Sequence, residues 1–156
     1  MNISTTDQTT YELIIFQVGD ILCGAEILQV QEINKHLDIT PVHHAPPYVR
    51  GVLNLRGQII TIVDLREKFG FPARAFDEDM RIVIVRFNGE NIGLLVDGIQ
   101  DVLRAAVSDI EPSPANVSGV SGAFFSGVYK MSRGLVALVN LDEILAFQAE
   151  AAVTSR

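Results

Sequence analysis

The chain has 156 residues, 48% of them hydrophobic, with 12 Lys and Arg against 19 Asp and Glu and a net charge of −7. That length and apolar content suit one ordinary domain or two small lobes with a core. The acidity, without a long basic stripe, lacks the electrostatic footprint of a nucleic-acid binder, and a single cysteine, Cys23, can form neither an intramolecular disulfide nor a thiolate metal cage.

The N-terminus shows no basic segment followed by an apolar one, and no apolar run reaches the roughly 18 residues a membrane span needs. A soluble cytoplasmic protein is expected. Residues 1–10 are polar and read as a frayed tail. Tyr11–Val18 and Ile21–Ile27 read as strands about a Gly19-Asp20 turn, with Cys23 as a buried, inert thiol. Leu28–Asn34 stays open. Ile27, Val30 and Ile33 have helical spacing, but the stretch also alternates as a strand does, and seven residues are too few to decide.

Lys35–Tyr48 carries Pro41, Pro46 and Pro47 and reads as a loop or edge segment. His43 and His44 are adjacent, with His36 seven residues back. Adjacent side chains point apart on a strand or helix, so no metal site is expected. Val49–Leu55 and Gln58–Leu65 then flank Arg56-Gly57 as the arms of a tight hairpin. Asp64-Leu65-Arg66-Glu67 has the capping-box pattern, opening a short helix that reaches about Phe69 and stops at Gly70.

Residues 71–79, with Pro72 and the run Asp77-Glu78-Asp79, read as a solvated linker. Between positions 50 and 74 five cations face two anions, a local +3 that suits an acidic partner or a solvated rim. Met80–Phe87 is an expected strand, Asn88-Gly89 a hairpin turn and Asn91–Val102 one long return strand. Leu103–Ser121 reads as loop. Gly122–Met131 and Leu135–Val139 form a further hairpin about Ser132-Arg133-Gly134, and Asn140-Leu141-Asp142-Glu143 opens a helix over about Leu141–Ala149. Residues 148–156 are expected to fray.

The chain repeats itself. A shift of 69 places Tyr11–Phe16 on Met80–Val85, Gly24 on Gly93, Val30 on Ile99 and Gln31-Glu32-Ile33 on Gln100-Asp101-Val102. A shift of 76 places Gly51-Val52 on Gly127-Val128 and Ile62–Leu65 on Leu138–Leu141. The difference falls in a loop, where insertions are tolerated. An all-β fold with short helices follows, with two lobes of about five strands at roughly 11–70 and 80–147, each closed into a small barrel. Each lobe alone is small enough to be marginal. Asn54 and Arg56 fall opposite Lys130 and Ser132. The repeat does not demand them, which makes them better candidates for function than the residues it rebuilds.

Several segments together resemble the CheW family of bacterial chemotaxis coupling proteins. They are Val30–Ile33, Ile39–Val42, Ala45–Gly57, Ile62–Arg66, Ile92–Ile99 and Gly127-Val128. The resemblance spans about residues 11–147. It implies two SH3-like five-stranded β-barrels and a non-enzymatic adaptor, without cofactor or metal, that links methyl-accepting chemoreceptors to the histidine kinase CheA at membrane-associated arrays. It implies receptor-side residues Val30, Glu32, Ile33, Asn54 and Arg56, and a kinase-facing region within about 80–102 that binds the kinase's regulatory domain barrel to barrel. Service in a related pathway, such as twitching or gliding motility, fits the same residues. Glu32 and Arg56 would set orientation, pairing with each other or with the partner.

Other function classes lack their residues. No G-x-S-x-G elbow surrounds a serine and no G-x-x-x-x-G-K loop is present, so the sequence offers no hydrolase or nucleotide-binding signature. A small-barrel single-strand binder wants basic residues and stacking aromatics, and the charge argues against it.

Overall fold

The computed structural model describes residues 9–35, 38–132 and 134–146. The tail 1–8, His36, Arg133 and the expected ends of the last helix and C-terminal tail lie outside the described residues. The first half contains β1 (Thr10–Val18), β2 (Ile21–Glu26), β3 (Val30–Lys35), β4 (Val49–Leu55), β5 (Gln58–Asp64) and helix α1 (Leu65–Phe69). The second contains β6 (Arg81–Phe87), β7 (Glu90–Val96), β8 (Gly98–Ala106), β9 (Ile110–Glu111), β10 (Asn116–Val117), β11 (Val120–Ser121), β12 (Phe125–Met131), β13 (Gly134–Val139) and α2 (Leu141–Ile144).

Two main sheets form. One is ordered β3-β6-β7-β5-β4 and the other β8-β1-β2-β13-β12-β9, with β10-β11 as a separate ribbon. The repeat maps one order onto the other, register included. Ile33 pairs with Val83 as Val102 pairs with Ile14. Gly51 opposes Ile62 as Gly127 opposes Leu138. The parallel partners Ile62 and Gly93 correspond to Leu138 and Gly24. The mostly-β, two-lobed fold expected from the sequence is present, with five strands in one main sheet and six in the other.

The sheets do not follow the halves of the sequence. β1 and β2 lie beside β12 and β13, whereas β6 and β7 lie beside β4 and β5. Each half lends its first hairpin to the other half's sheet. The boundaries at about 11–70 and 80–147 are therefore not sheet boundaries. Three apolar clusters result. Leu53, Ile60, Ile62, Ile82 and Ile84 fill the five-stranded sheet, and Leu13, Ile15, Ala105, Val136 and Leu138 fill the other. Ile14, Phe16, Val83, Val85 and Leu94 belong to the third, between the sheets. Because β1 and β6 are buried on both faces, they read as continuous apolar runs rather than alternating ones.

The strand expected over Asn91–Val102 breaks at Asp97, where the chain leaves one sheet for the other. The Asp97 amide donates to the Gln17 carbonyl at 2.8 Å. Its buried carboxylate accepts from the Gly19 amide at 2.8 Å and from Arg66 Nη1 at 2.8 Å, tying the β1–β2 turn to α1 at the crossing point. β8 continues to Ala106, and β9, β10 and β11 occupy much of the expected loop over Leu103–Ser121. These short strands are set by distant partners, such as Val128 for Glu111, which no local pattern reveals. The expected strand from Gly122 starts at Phe125, after a 3-10 turn over Gly122–Phe124.

Both helix caps form by half of the expected box. The Asp64 carboxylate accepts from the Arg66 and Glu67 amides, and Asn140 Oδ1 accepts from the Glu143 amide. The reciprocal bonds are absent because the cap amides of Asp64 and Asn140 already donate to the carbonyls of Tyr48 and Phe124, at 2.7 and 2.8 Å. Gly70 closes α1 with φ 88°, as expected.

The segment after α1 is held rather than freely solvated. Arg50 Nη2 donates to the Arg74 carbonyl at 3.1 Å and its guanidinium lies over the Phe76 ring. Arg66 Nε donates to the Pro72 carbonyl at 3.0 Å, and Arg74 pairs with Asp77. Much of the local positive charge at positions 50–74 is thereby engaged within the chain.

Candidate functional site: an edge clasped by Glu32 and Arg56

β3 is an edge strand whose sheet partner is β6. The chain enters it through a 3-10 turn over Ile27–Gln29, so the segment left open by periodicity is a turn followed by a strand. In a regular strand, residues three apart face opposite ways. Here the pairing slips between Val30 and Glu32, so Val30 opposes Val85 and Ile33 opposes Val83. The two valines of β6 share a face directed into the inter-sheet core. The bulge therefore turns Val30 and Ile33 to one side, and the i,i+3 spacing that mimicked a helix is a bulged strand. Val30 packs against the core, and Ile33 is 38% exposed.

Glu32 opposes Ile84 on the other face, at the rim of the five-stranded sheet. Arg56 reaches it from the β4–β5 turn, and the two form an ion pair. Since β3 and β4 are opposite edges of their sheet, the pair clasps its open sides together. The turn has Arg56 at φ 51° and Gly57 at φ 85°, which matches the type I′ geometry that suits a two-residue hairpin. Asn54 Oδ1 accepts from the Gly57 amide at 3.1 Å and braces the turn. A left-handed arginine costs about 1–2 kcal/mol relative to a turn built on glycine. Another two-residue turn of the chain, between β6 and β7, uses Asn88-Gly89. Local turn chemistry thus does not explain why arginine stands at position 56.

The structure brings Glu32 and Arg56 into contact, places Asn54 in the same turn, and sets Val30 and Ile33 on the opposite face of β3. It also exposes Val102 at 51%, which occupies on β8 the register position that Ile33 has on β3. The sequence match of Ile33 with Val102 was the signal for this second edge. Leu28, 87% exposed on the 3-10 turn, carried no such signal.

Within residues 80–102, Ile82–Val85 and Ile92–Val96 are buried. Surface is offered there by Arg86, Gly89, Glu90, Gln100, Asp101 and Val102, from the β6–β7 turn and β8. His43 and His44 are exposed with ring centroids 6.5 Å apart. Among the described residues no group of three His, Cys, Asp or Glu is arranged to hold a metal. Burial pushes the Cys23 thiol far up, with the charge of Asp97 adding to the shift, so it stays protonated. Among the described residues, no helix is long and apolar enough to cross a membrane.

Known proteins are similar to this chain in sequence and in fold. Residues 12–149 match the CheW-like domain. The chain belongs to the CheW family. It is 32% identical over 142 residues to the chemotaxis protein CheW of Klebsiella aerogenes, covering 91% of this chain and 86% of the relative. It is 37% identical over 133 residues to that of Rhizobium meliloti, covering 85% and 86%. The crystal structure of the scaffolding protein TtCheW from Thermoanaerobacter tengcongensis matches with a TM-score of 0.82 and 31% identity, over 88% of this chain and 93% of that one.

Proposed function

We propose that the chain is a non-enzymatic coupling protein of a chemosensory array, joining the cytoplasmic tip of a methyl-accepting chemoreceptor to the histidine kinase CheA. Its membership of the CheW family supports this, as does the clasped edge. The observation that carries the receptor side is the Glu32–Arg56 ion pair at the rim of a bulged edge strand. Ile33 offers apolar area to a helical partner, worth about 25 cal/mol per Å² removed from water. Arg56, whose side chain is 70% exposed, presents guanidinium donors beyond those used by Glu32. The kinase side is assigned to the exposed part of residues 80–102, the β6–β7 turn and the outer residues of β8.

The test is recruitment of the full chain by a receptor cytoplasmic fragment and by the kinase, alone and together. Arg56→Ala and Ile33→Ser should each weaken receptor binding by about fivefold or more, corresponding to roughly 1 kcal/mol, while kinase binding and the unfolding midpoint hold. Unchanged receptor binding by both variants refutes the site. Retention of neither partner by the wild-type chain refutes the coupling function.

A further inference from the structure

The two barrels are not closed alike. In the five-stranded sheet, Met80 and Leu95 are each 2% exposed and complete the apolar filling. The repeat places Tyr11 and Glu26 at those two positions in the other sheet. There the interior opens into a cavity of about 370 Å³, lined among others by Tyr11, Leu13, Glu26, Val107, Ile110 and Leu138. Tyr11 and Glu26 also line an adjoining cleft of about 230 Å³ whose wall includes Leu28, 87% exposed.

Glu26 is half-buried between these openings, and its carboxylate has no hydrogen-bond or ion-pair partner among the described residues. Glu12 and Arg104 line the outer cleft but pair with each other at 3.5 Å. A carboxylate at a mouth walled in part by aliphatic side chains, Ile27 and Leu28 outside and Val107 and Ile110 inside, favours a cation that brings its own apolar stem, and lysine and arginine side chains have that form. The fold does not require this carboxylate, since the companion barrel carries a leucine in its place.

We propose that this opening is a docking site for a partner-protein segment that inserts a lysine or arginine against Glu26 and rests a flanking aliphatic residue on Leu28. The cavity is of the size that encloses a small ligand or a single large side chain. The cavity is walled by β1 and β2 together with residues of β9, β12 and β13, and the site shares no residue with the Glu32–Arg56 clasp.

The test is a ¹⁵N NMR titration of the full chain with two probe peptides, acetyl-Leu-Arg-Leu-amide and its neutral counterpart acetyl-Leu-Gln-Leu-amide. The arginine peptide should give saturable shifts at Gly24, Glu26, Val107 and Ser126 and bind at least tenfold more tightly than the glutamine peptide. Glu26→Gln should remove that preference. Glu26→Leu restores the residue of the companion barrel and should abolish binding of both peptides without lowering the unfolding midpoint. Equal affinity for the two peptides, a preference that survives Glu26→Gln, shifts confined to other residues, or no saturable shift overturns the proposal. So do shifts at these amides that follow protein concentration without peptide, which would assign the opening to a second copy of the chain.

Discussion

Asp64→Asn separates the two roles of one buried carboxylate. Asp64 is 3% exposed, caps α1 through Oδ1, and has Oδ2 3.5 Å from Arg50 Nη2. Burial raises its carboxyl above the ordinary value, opposed by Arg50 and the two capping amides. For an acid raised in this way, the stabilisation it contributes is complete below the unfolded value near 3.9. It is lost as pH rises through the folded value, because the folded state then holds the proton more tightly than the unfolded one. Asparagine keeps the capping oxygen and does not titrate. The repeat already uses this solution, with Asn140 capping α2.

The substitution gives up the Arg50 contact, worth roughly 0–1 kcal/mol for a partly exposed cation. Arg50 retains the Arg74 carbonyl and the Phe76 ring as partners. It also removes the cost of burying charge, so Asp64→Asn should change stability at neutral pH by less than about 1 kcal/mol. Asp64→Ala also loses the cap, at a further cost of about 1–2 kcal/mol. Urea unfolding of the three proteins at several pH values between 3 and 7 reads this directly. The advantage of wild type over Asp64→Asn should shrink as pH rises and then level off. A constant or growing advantage, or an Asp64→Asn protein as unstable as Asp64→Ala, refutes the reasoning.

Asp97→Ala removes the carboxylate partner of the largely buried Arg66 guanidinium, which keeps only the Pro72 carbonyl, and of the Gly19 amide, and should cost about 3 kcal/mol in chemical unfolding. Asp97→Asn, which keeps an acceptor, should cost less. Fragments 1–75 and 76–156 should each lack a cooperative transition alone and recover the native circular dichroism spectrum when mixed, because each sheet needs the other fragment's hairpin. Gly51→Ala should cost about 3 kcal/mol or more by calorimetry, through the strained backbone and two threatened hydrogen bonds. Its Cβ would stand 2.2 Å from the Thr40 carbonyl oxygen, at a φ of 151°, where Thr40 and Val52 exchange two bonds of 2.8 Å.

Much of the local structure was legible because its causes are local. The Arg56-Gly57 and Asn88-Gly89 turns, the strands of the first hairpin, the caps at Asp64 and Asn140 and the stop at Gly70 rest on residue types at fixed offsets. The misjudged places lie where a distant partner overrides that chemistry. Asp97 interrupts an apolar run because it serves the Gly19 amide and Arg66 at a crossing between sheets. The strap after α1 is held by Arg50 and Arg66, whose side chains look solvated in one dimension. The stretch around Val30 and Ile33 stayed open between helix and strand because a bulge shifts a two-residue period by one.

The sequence by itself determined the repeat, and with it the identical pairing registers of the two sheets, because matching apolar patterns pack matching faces. It also singled out Asn54 and Arg56 as residues the repeat does not rebuild. Only the tertiary structure decided that each half completes the other's sheet, and that Arg56 closes on Glu32 across the sheet's two edges. Strand pattern states which face is apolar, but not which strand lies alongside. That choice depends on where the chain crosses between layers, and here the crossings are set by contacts from distant segments, Gly19 and Arg66 at Asp97 among them.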